Sequence, residues 1–300
     1  MIELRDLTVR YGDTVAVGDV SLDLPSGVLY GLLGRNGSGK TSLLSAIASY
    51  RKPAAGTVRV DGADAFENPA VMRATCFVRD TLDVLAQERV GRALCFAGWL
   101  RPTWDAGYAA KLVELFGLEP RKRVQSLSRG QKSALGAVLG LAARAPLTIL
   151  DEVYLGMDAV ARTTFYRELL ADYLAHPRTI ILSTHLIEEV ADLFERVIII
   201  DRGRILLHEE ADELRGRGVT VTGPAATVDE FTAGRTVLGS QSLGGVRADT
   251  LYGRLEPAEL ARGEAAGLTF GPVGLQDLFV HLTSAPLASA LLASAGEVAR

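Results

Sequence analysis

Apolar residues fall along this chain in two kinds of run. Short, strand-like runs occupy residues 2–9, 28–33, 57–60, 75–78, 147–150, 179–183, 197–201 and 204–208. Those beginning at Leu147, Thr179 and Val197 are continuous rather than alternating, the pattern of a strand covered on both faces of a parallel sheet. Helix-spaced runs follow a glycine-rich turn at 39–48 and recur from Asp83 to Arg144. There Leu85, Val90, Leu94, Leu112, Leu115, Leu135, Val138 and Leu139 repeat at helical intervals without a strand among them. The pattern predicts an α/β fold with a helical subdomain over about 83–145. After Leu214 the run Arg215-Gly216-Arg217-Gly218 breaks it, and short strands at 219–222 and 236–238 follow amid Gly, Thr and Ala. A domain boundary is expected there, giving a main domain over 1–214 and a small accessory domain over 215–300. Its Ala- and Leu-rich end, 286–300, reads as a loosely held helix or frayed tail.

Length supports two units, because 300 residues exceed what one core usually organises. A formal net charge of -4 with 23% charged residues provides no overall positive field, which excludes nucleic acid as the main partner. The longest apolar stretches, at 134–143 and 197–200, fall short of the roughly 20 residues that cross a bilayer. Charges at Glu3, Arg5 and Asp6 interrupt the place of a signal peptide's apolar core, so a cytoplasmic location is expected. Cys76 and Cys95 are the only cysteines, read as two reduced, buried thiols. His176, His185, His208 and His281 lack the close spacing of a zinc-binding helix.

The chemistry concentrates where strands end. Gly34-Arg35-Asn36-Gly37-Ser38-Gly39-Lys40-Thr41 lies between an apolar strand and a helix and has the spacing of a phosphate-binding loop. Its glycines let backbone N–H groups converge on phosphate oxygens, and the helix N-terminus adds its dipole. Lys40 is placed for the terminal phosphates and the Thr41 hydroxyl for Mg²⁺. A second apolar strand ends in Asp151-Glu152, with Asp151 suited to hold the magnesium and Glu152 to polarise an attacking water. A third ends in Ser183-Thr184-His185, where the histidine can donate to a γ-phosphate or orient that water. Leu127-Ser128-Arg129-Gly130-Gln131 opens an apolar helix, either a plain N-cap or a second anion site.

This ordered set, together with Leu155-Gly156-Met157-Asp158, resembles the nucleotide-binding subunits of ABC transporters over the first two-thirds of the chain. The resemblance implies a P-loop NTPase sandwich: a mainly parallel core sheet, an antiparallel N-terminal β part, the helical subdomain and a small C-terminal α+β domain. It implies ATP and Mg²⁺ as cofactors, with Tyr11 stacking on adenine, Gly34 through Ser42 around the phosphates, and Glu152 and His185 as catalytic residues. Thr41 and Asp151, with Asp80 as a further candidate, would hold the metal. The resemblance also implies a head-to-tail homodimer, or a heterodimer with a second nucleotide-binding subunit. In it Ser128, Arg129, Gly130 and Gln131 close over the partner's ATP and Asp158 lies in the contact loop. A separately encoded membrane permease would attach the subunit peripherally to the cytoplasmic face.

Three positions depart from the family pattern. Arg129 replaces a glycine, Val153-Tyr154 replaces Pro-Thr, and Asp80 aligns with a glutamine that senses Mg²⁺. Leu275-Gln276-Asp277-Leu278-Phe279-Val280 resembles the closing segment of drug- and lipid-exporter-type ATPases, and Pro177-Arg178-Thr179 through Leu193-Phe194-Glu195 resembles small export-type or antibiotic-responsive members, which together point toward export; read bare, 275–280 is an amphipathic helix packing its Leu, Phe and Val. The alternative reading is a soluble regulatory ATPase of the same family acting without a permease.

Overall fold

The computed structural model describes residues 1–283. The N-terminal β part is a four-stranded antiparallel sheet, order β2-β1-β4-β5, built from β1 (Ile2–Tyr11), β2 (Thr14–Leu24), β4 (Ala55–Val60) and β5 (Ala63–Asp64). Simple alternation does not survive along β1: Leu4 and Leu7, three residues apart, are both buried. A bulge accounts for this, because the pairing of β1 with β2 shifts register between Leu4 and Leu7, and Asp6 there takes a left-handed backbone. Gly56 passes so close to the bulge that a Cβ would lie 2.3 Å from the Arg5 carbonyl.

The central sheet is parallel in the order β9-β3-β8-β7-β6, using β3 (Leu29–Leu33), β6 (Thr75–Arg79), β7 (Leu147–Asp151), β8 (Thr179–Thr184) and β9 (Arg196–Asp201). Every residue of β3, β7 and β8 is buried, as continuous apolar runs require. Register fixes what meets at the carboxyl edge. Leu33 pairs with Thr184, Asp151 with Ser183, and Arg79 with Asp151, so the residues following each strand emerge side by side. Helices α1 (Lys40–Ile47), α2 (Pro69–Ala74) and α6 (Ala159–Ala175) accompany these strands, and α3 (Val90–Leu100), α4 (Ala106–Leu115) and α5 (Arg129–Ala142) form the helical subdomain. Behind the sheet, buried Arg178 donates to buried Asp172 at 2.7 Å, which compensates the desolvation of both charges. Cys76 is buried, but Cys95 is exposed: at its place on α3 the buried positions are Val90 and Ala93, so the expectation of two buried thiols fails for Cys95.

Contacts divide the chain into Met1–His185 with Leu193–Ile205, and Leu186–Asp192 with Leu206–Arg300. The division thus falls ahead of the expected 214/215. Strand β10 (Arg204–Glu210) carries the chain from the first unit into the second, while the short α7 (Ile187–Val190) joins the second unit through contacts with α11 (Leu275–Leu282). The second unit otherwise comprises α8 (Ala211–Arg215), β11 (Gly218–Pro224), α9 (Ala225–Thr232), β12 (Val237–Leu243), β13 (Val246–Tyr252), α10 (Pro257–Ala265) and β14 (Thr269–Pro272). Its sheet runs β12-β13-β11-β14, all antiparallel, over a core of Val221, Val228, Leu251 and Leu268. Asp249 is fully buried there, accepting from Arg247 Nε at 2.8 Å and from the Ser240 hydroxyl. Along α11, Leu275, Leu278, Phe279 and Leu282 are buried, whereas Val280, expected to pack, is 56% exposed. The segment 286–300, read as a loosely held helix or frayed tail, lies outside the described residues.

Candidate functional site

Between β3 and α1 the chain turns through two glycines with left-handed backbones, Gly37 at φ 79° and Gly39 at φ 108°. They serve different ends. A Cβ on Gly39 would sit 2.6 Å from the Ala16 carbonyl, whereas a Cβ on Gly37 would meet nothing within 4 Å. The loop is therefore pressed against β2 on one side and open on the other. The open side is a cleft of about 240 Å³ lined by Asn36, Gly37, Gly39, Lys40, Thr41, Ser42, Asp80, Asp151 and Glu152 with Ala16. Residues from three strand ends converge there because of the register described above.

Within the cleft the polar groups are interlocked. The Lys40 ammonium, only 5% exposed, donates to the Gly34 carbonyl at 2.8 Å and lies 3.1 Å from Glu152 Oε1. The Thr41 hydroxyl donates to Asp151 Oδ2 at 2.7 Å, and the Ser183 hydroxyl donates to Asp151 Oδ1. Burial pushes the Asp151 carboxyl above the usual carboxylate range, against the pull of the Ser183 and Thr41 hydrogen bonds. Glu152 has a left-handed backbone, φ 49°, and its N–H donates to Ser183 Oγ at 3.1 Å. His185 Nδ1 stands 3.4 Å from Glu152 Oε1 and 3.1 Å from the Tyr154 hydroxyl.

The donor set fits a nucleoside triphosphate with magnesium. The Ser38 hydroxyl is buried and has no hydrogen-bond partner among the described residues, as an atom awaiting a phosphate oxygen would. A hydroxyl and a carboxylate 2.7 Å apart are hard oxygen ligands, and Mg²⁺ takes one or two such groups beside phosphates and water rather than a protein cage. Among the described residues no group of three or more His, Cys, Asp or Glu side chains forms such a cage.

The remaining sequence candidates lie elsewhere. Ser128, Arg129, Gly130 and Gln131 line a separate cleft of about 570 Å³ with Gly156, Met157 and Asp158. Ser128 and Gln131 cap α5 reciprocally, each bond at 3.2 Å, and Asp158 Oδ1 caps α6 by accepting from the Ala161 N–H. Tyr11 is not among the residues lining the first cleft, and the Arg51 guanidinium lies 3.7 Å from its ring centroid. Two participants were given no role in the sequence reading of the site: Ser183, quoted only as part of a strand-end trio and now the register neighbour of Asp151, and Tyr154, noticed only as a departure. Strand register was the signal for Ser183; nothing in the sequence pointed to Tyr154's partners.

A glycine cradle closing on a helix N-terminus, with a strand-end carboxylate pair beside its lysine, defines a P-loop nucleoside-triphosphatase. Residues 17–154 match the ABC transporter family. The Nod factor export ATP-binding protein I of Burkholderia orbicola (strain AU 1054) is 30% identical over 299 residues, 94% of this chain and 96% of that protein. The sulfate/thiosulfate import ATP-binding protein CysA of Caulobacter vibrioides is 35% identical over 214 residues, 68% of this chain and 63% of its own length. In fold, a dimeric ATP-binding cassette solved with ADP and Pi superposes with a TM-score of 0.62 at 20% identity, covering 70% of this chain and 99% of that one. The chain belongs to the ATP-binding subunits of ABC transporters, which are ATPases. No helix among its described residues is long and apolar enough to cross a membrane.

Proposed function

We propose that this chain hydrolyses ATP to drive export through a separately encoded membrane permease, working at the cytoplasmic face of the membrane as a homodimer or beside a second nucleotide-binding subunit. The observation that carries the reading is the convergence of Lys40, Thr41, Asp151 and Glu152 in one cleft, with His185 beside Glu152. Bound Mg²⁺ would neutralise charge on the phosphates, held by Thr41 and Asp151, with Asp80 lining the same cleft. Lys40 binds the terminal phosphates once it exchanges Glu152 for them. Glu152, so released, orients the attacking water and takes its proton, and His185 donates toward the γ-phosphate.

Export is favoured because the relative named for export aligns over 94% of the chain and so reaches the second unit, whereas the one named for import aligns over 68%. For the permease, the first unit offers an apolar groove of about 320 Å³ lined by Phe77, Val84, Leu85, Phe96 and Leu100, of which Leu85 and Leu100 are 69% and 74% exposed. The deciding experiment compares Mg-ATPase activity of the wild type with Glu152→Gln, with size-exclusion chromatography of each in ATP. A general base supplies about 10²–10⁴-fold, so the variant should lose that much turnover while still binding ATP and persisting as an ATP-dependent dimer. Wild-type turnover in the variant would refute the role of Glu152, and a variant that stays monomeric at saturating ATP would count against the dimer.

A further inference from the structure

Tyr154 stands where it should matter little, in a loop behind the catalytic pair, and is 1% exposed. Its ring packs against those of His185 and Tyr166, with centroids 5.9 and 6.3 Å away. Three neighbours of its hydroxyl, however, have roles that can be assigned. The backbone N–H of His185 can only donate, and it reaches the Tyr154 oxygen at 3.1 Å. The Thr184 hydroxyl donates to the same oxygen at 3.0 Å. A phenol has two acceptor positions and one proton, so both acceptor positions are taken and the proton remains for the third neighbour, His185 Nδ1, at 3.1 Å. Glu152 Oε1, the competing partner for that nitrogen, is farther at 3.4 Å.

We infer that Tyr154 is a positioning residue that fixes His185 as the tautomer bearing its proton on Nε2. A histidine's tautomer is set by the hydrogen bond its other nitrogen makes, and a neutral ring whose Nδ1 accepts must carry hydrogen on Nε2. That form presents a directed N–H donor to the γ-phosphate without having to bind a second proton first. The inference rests on the reading of His185 given above, and it gives the departure at position 154 a chemical purpose: the buried hydroxyl holds the ring through its backbone and its side chain at once.

The test is nitrogen-15 NMR of the histidine imidazoles in the full chain, with His185 assigned by its loss in His185→Ala, alongside steady-state ATPase kinetics. In the wild type, Nδ1 of His185 should resonate as an unprotonated nitrogen and Nε2 as a protonated one. Tyr154→Phe keeps the ring and removes the hydroxyl. It should mix the tautomers and lower kcat roughly two- to tenfold, the worth of one neutral hydrogen bond, with KM for ATP unchanged. A protonated Nδ1 in the wild type overturns the inference whether or not the variant folds, as does a Tyr154→Phe protein with unaltered resonances and kcat. If His185→Ala turns over at the wild-type rate, the catalytic reading of His185 fails instead, and the resonances alone decide what Tyr154 does.

Discussion

Replacing either left-handed glycine of the phosphate loop by alanine separates two costs that are usually confounded. At Gly37, φ 79°, a Cβ meets no atom within 4 Å, so only the backbone penalty applies, about 1–2 kcal/mol. At Gly39, φ 108°, the same kind of penalty is joined by a Cβ placed 2.6 Å from the Ala16 carbonyl, a backbone atom that cannot rotate away. Such overpacking adds typically ~1–3 kcal/mol. One kcal/mol corresponds to about 2–4 °C in Tm for a domain of this size, so Gly39→Ala should melt at least about 2 °C below Gly37→Ala in a calorimetric scan. ATP affinity should not follow stability. The Gly37 methyl enters the open side of the loop, where the phosphates are proposed to lie, so Gly37→Ala should lose much of its ATP binding while its fold is the less damaged of the two. Equal melting temperatures would refute the clash with Ala16, and undiminished ATP binding by Gly37→Ala would refute the placement of the phosphates.

Lys40→Ala should weaken ATP binding about 10–100-fold, the loss of a charge-assisted bond of ~1.5–3 kcal/mol, read by titration calorimetry; unchanged affinity would remove Lys40 from the site. In the second unit, burial would raise the Asp249 carboxyl, but hydrogen bonds from Arg247, Ser240 and Thr232 together with the Arg247 charge hold it below the usual range. A carboxyl with a lowered folded value adds stability that is fully present above its ordinary value of about 3.9 and is lost as pH falls through the folded value. Denaturant unfolding should therefore find Asp249→Asn less stable than wild type at pH 7, with the gap closing below about pH 4; a constant gap would refute the assignment.

The parallel sheet was legible because its strands announce themselves: β3, β7 and β8 are buried throughout and built on short apolar runs, and each leads into polar residues at the edge where the candidate site lies. β2 was not. Val15, Val17, Val20, Leu22 and Leu24 mark an eleven-residue strand, but their alternation slips where Asp19 takes a left-handed backbone, and a search for strict alternation sees two fragments too short to count. The contact-based division at 205/206 differs from the expected 214/215 for a related reason. The Gly-Arg run after Leu214 is a local signal, whereas the unit is defined by partners distant in sequence, such as α7 and α11. Of the site, the loop and carboxylates were readable from spacing. That Tyr154 touches His185, or that Arg51 covers Tyr11, depends on side-chain directions no spacing encodes.

The left-handed backbone at Glu152 has an evolutionary consequence. A β-carbon in that conformation costs about 1 kcal/mol or more that glycine would avoid and asparagine would reduce. Mutational drift toward either residue would relieve that backbone strain, but it would also take the carboxylate from the buried Lys40 ammonium and, on the mechanism proposed above, silence the protein. With the role proposed for it, the glutamate would be kept by selection for turnover, so copies of this chain retired to a purely structural duty should be recognisable by the loss of that one residue before any change in the core.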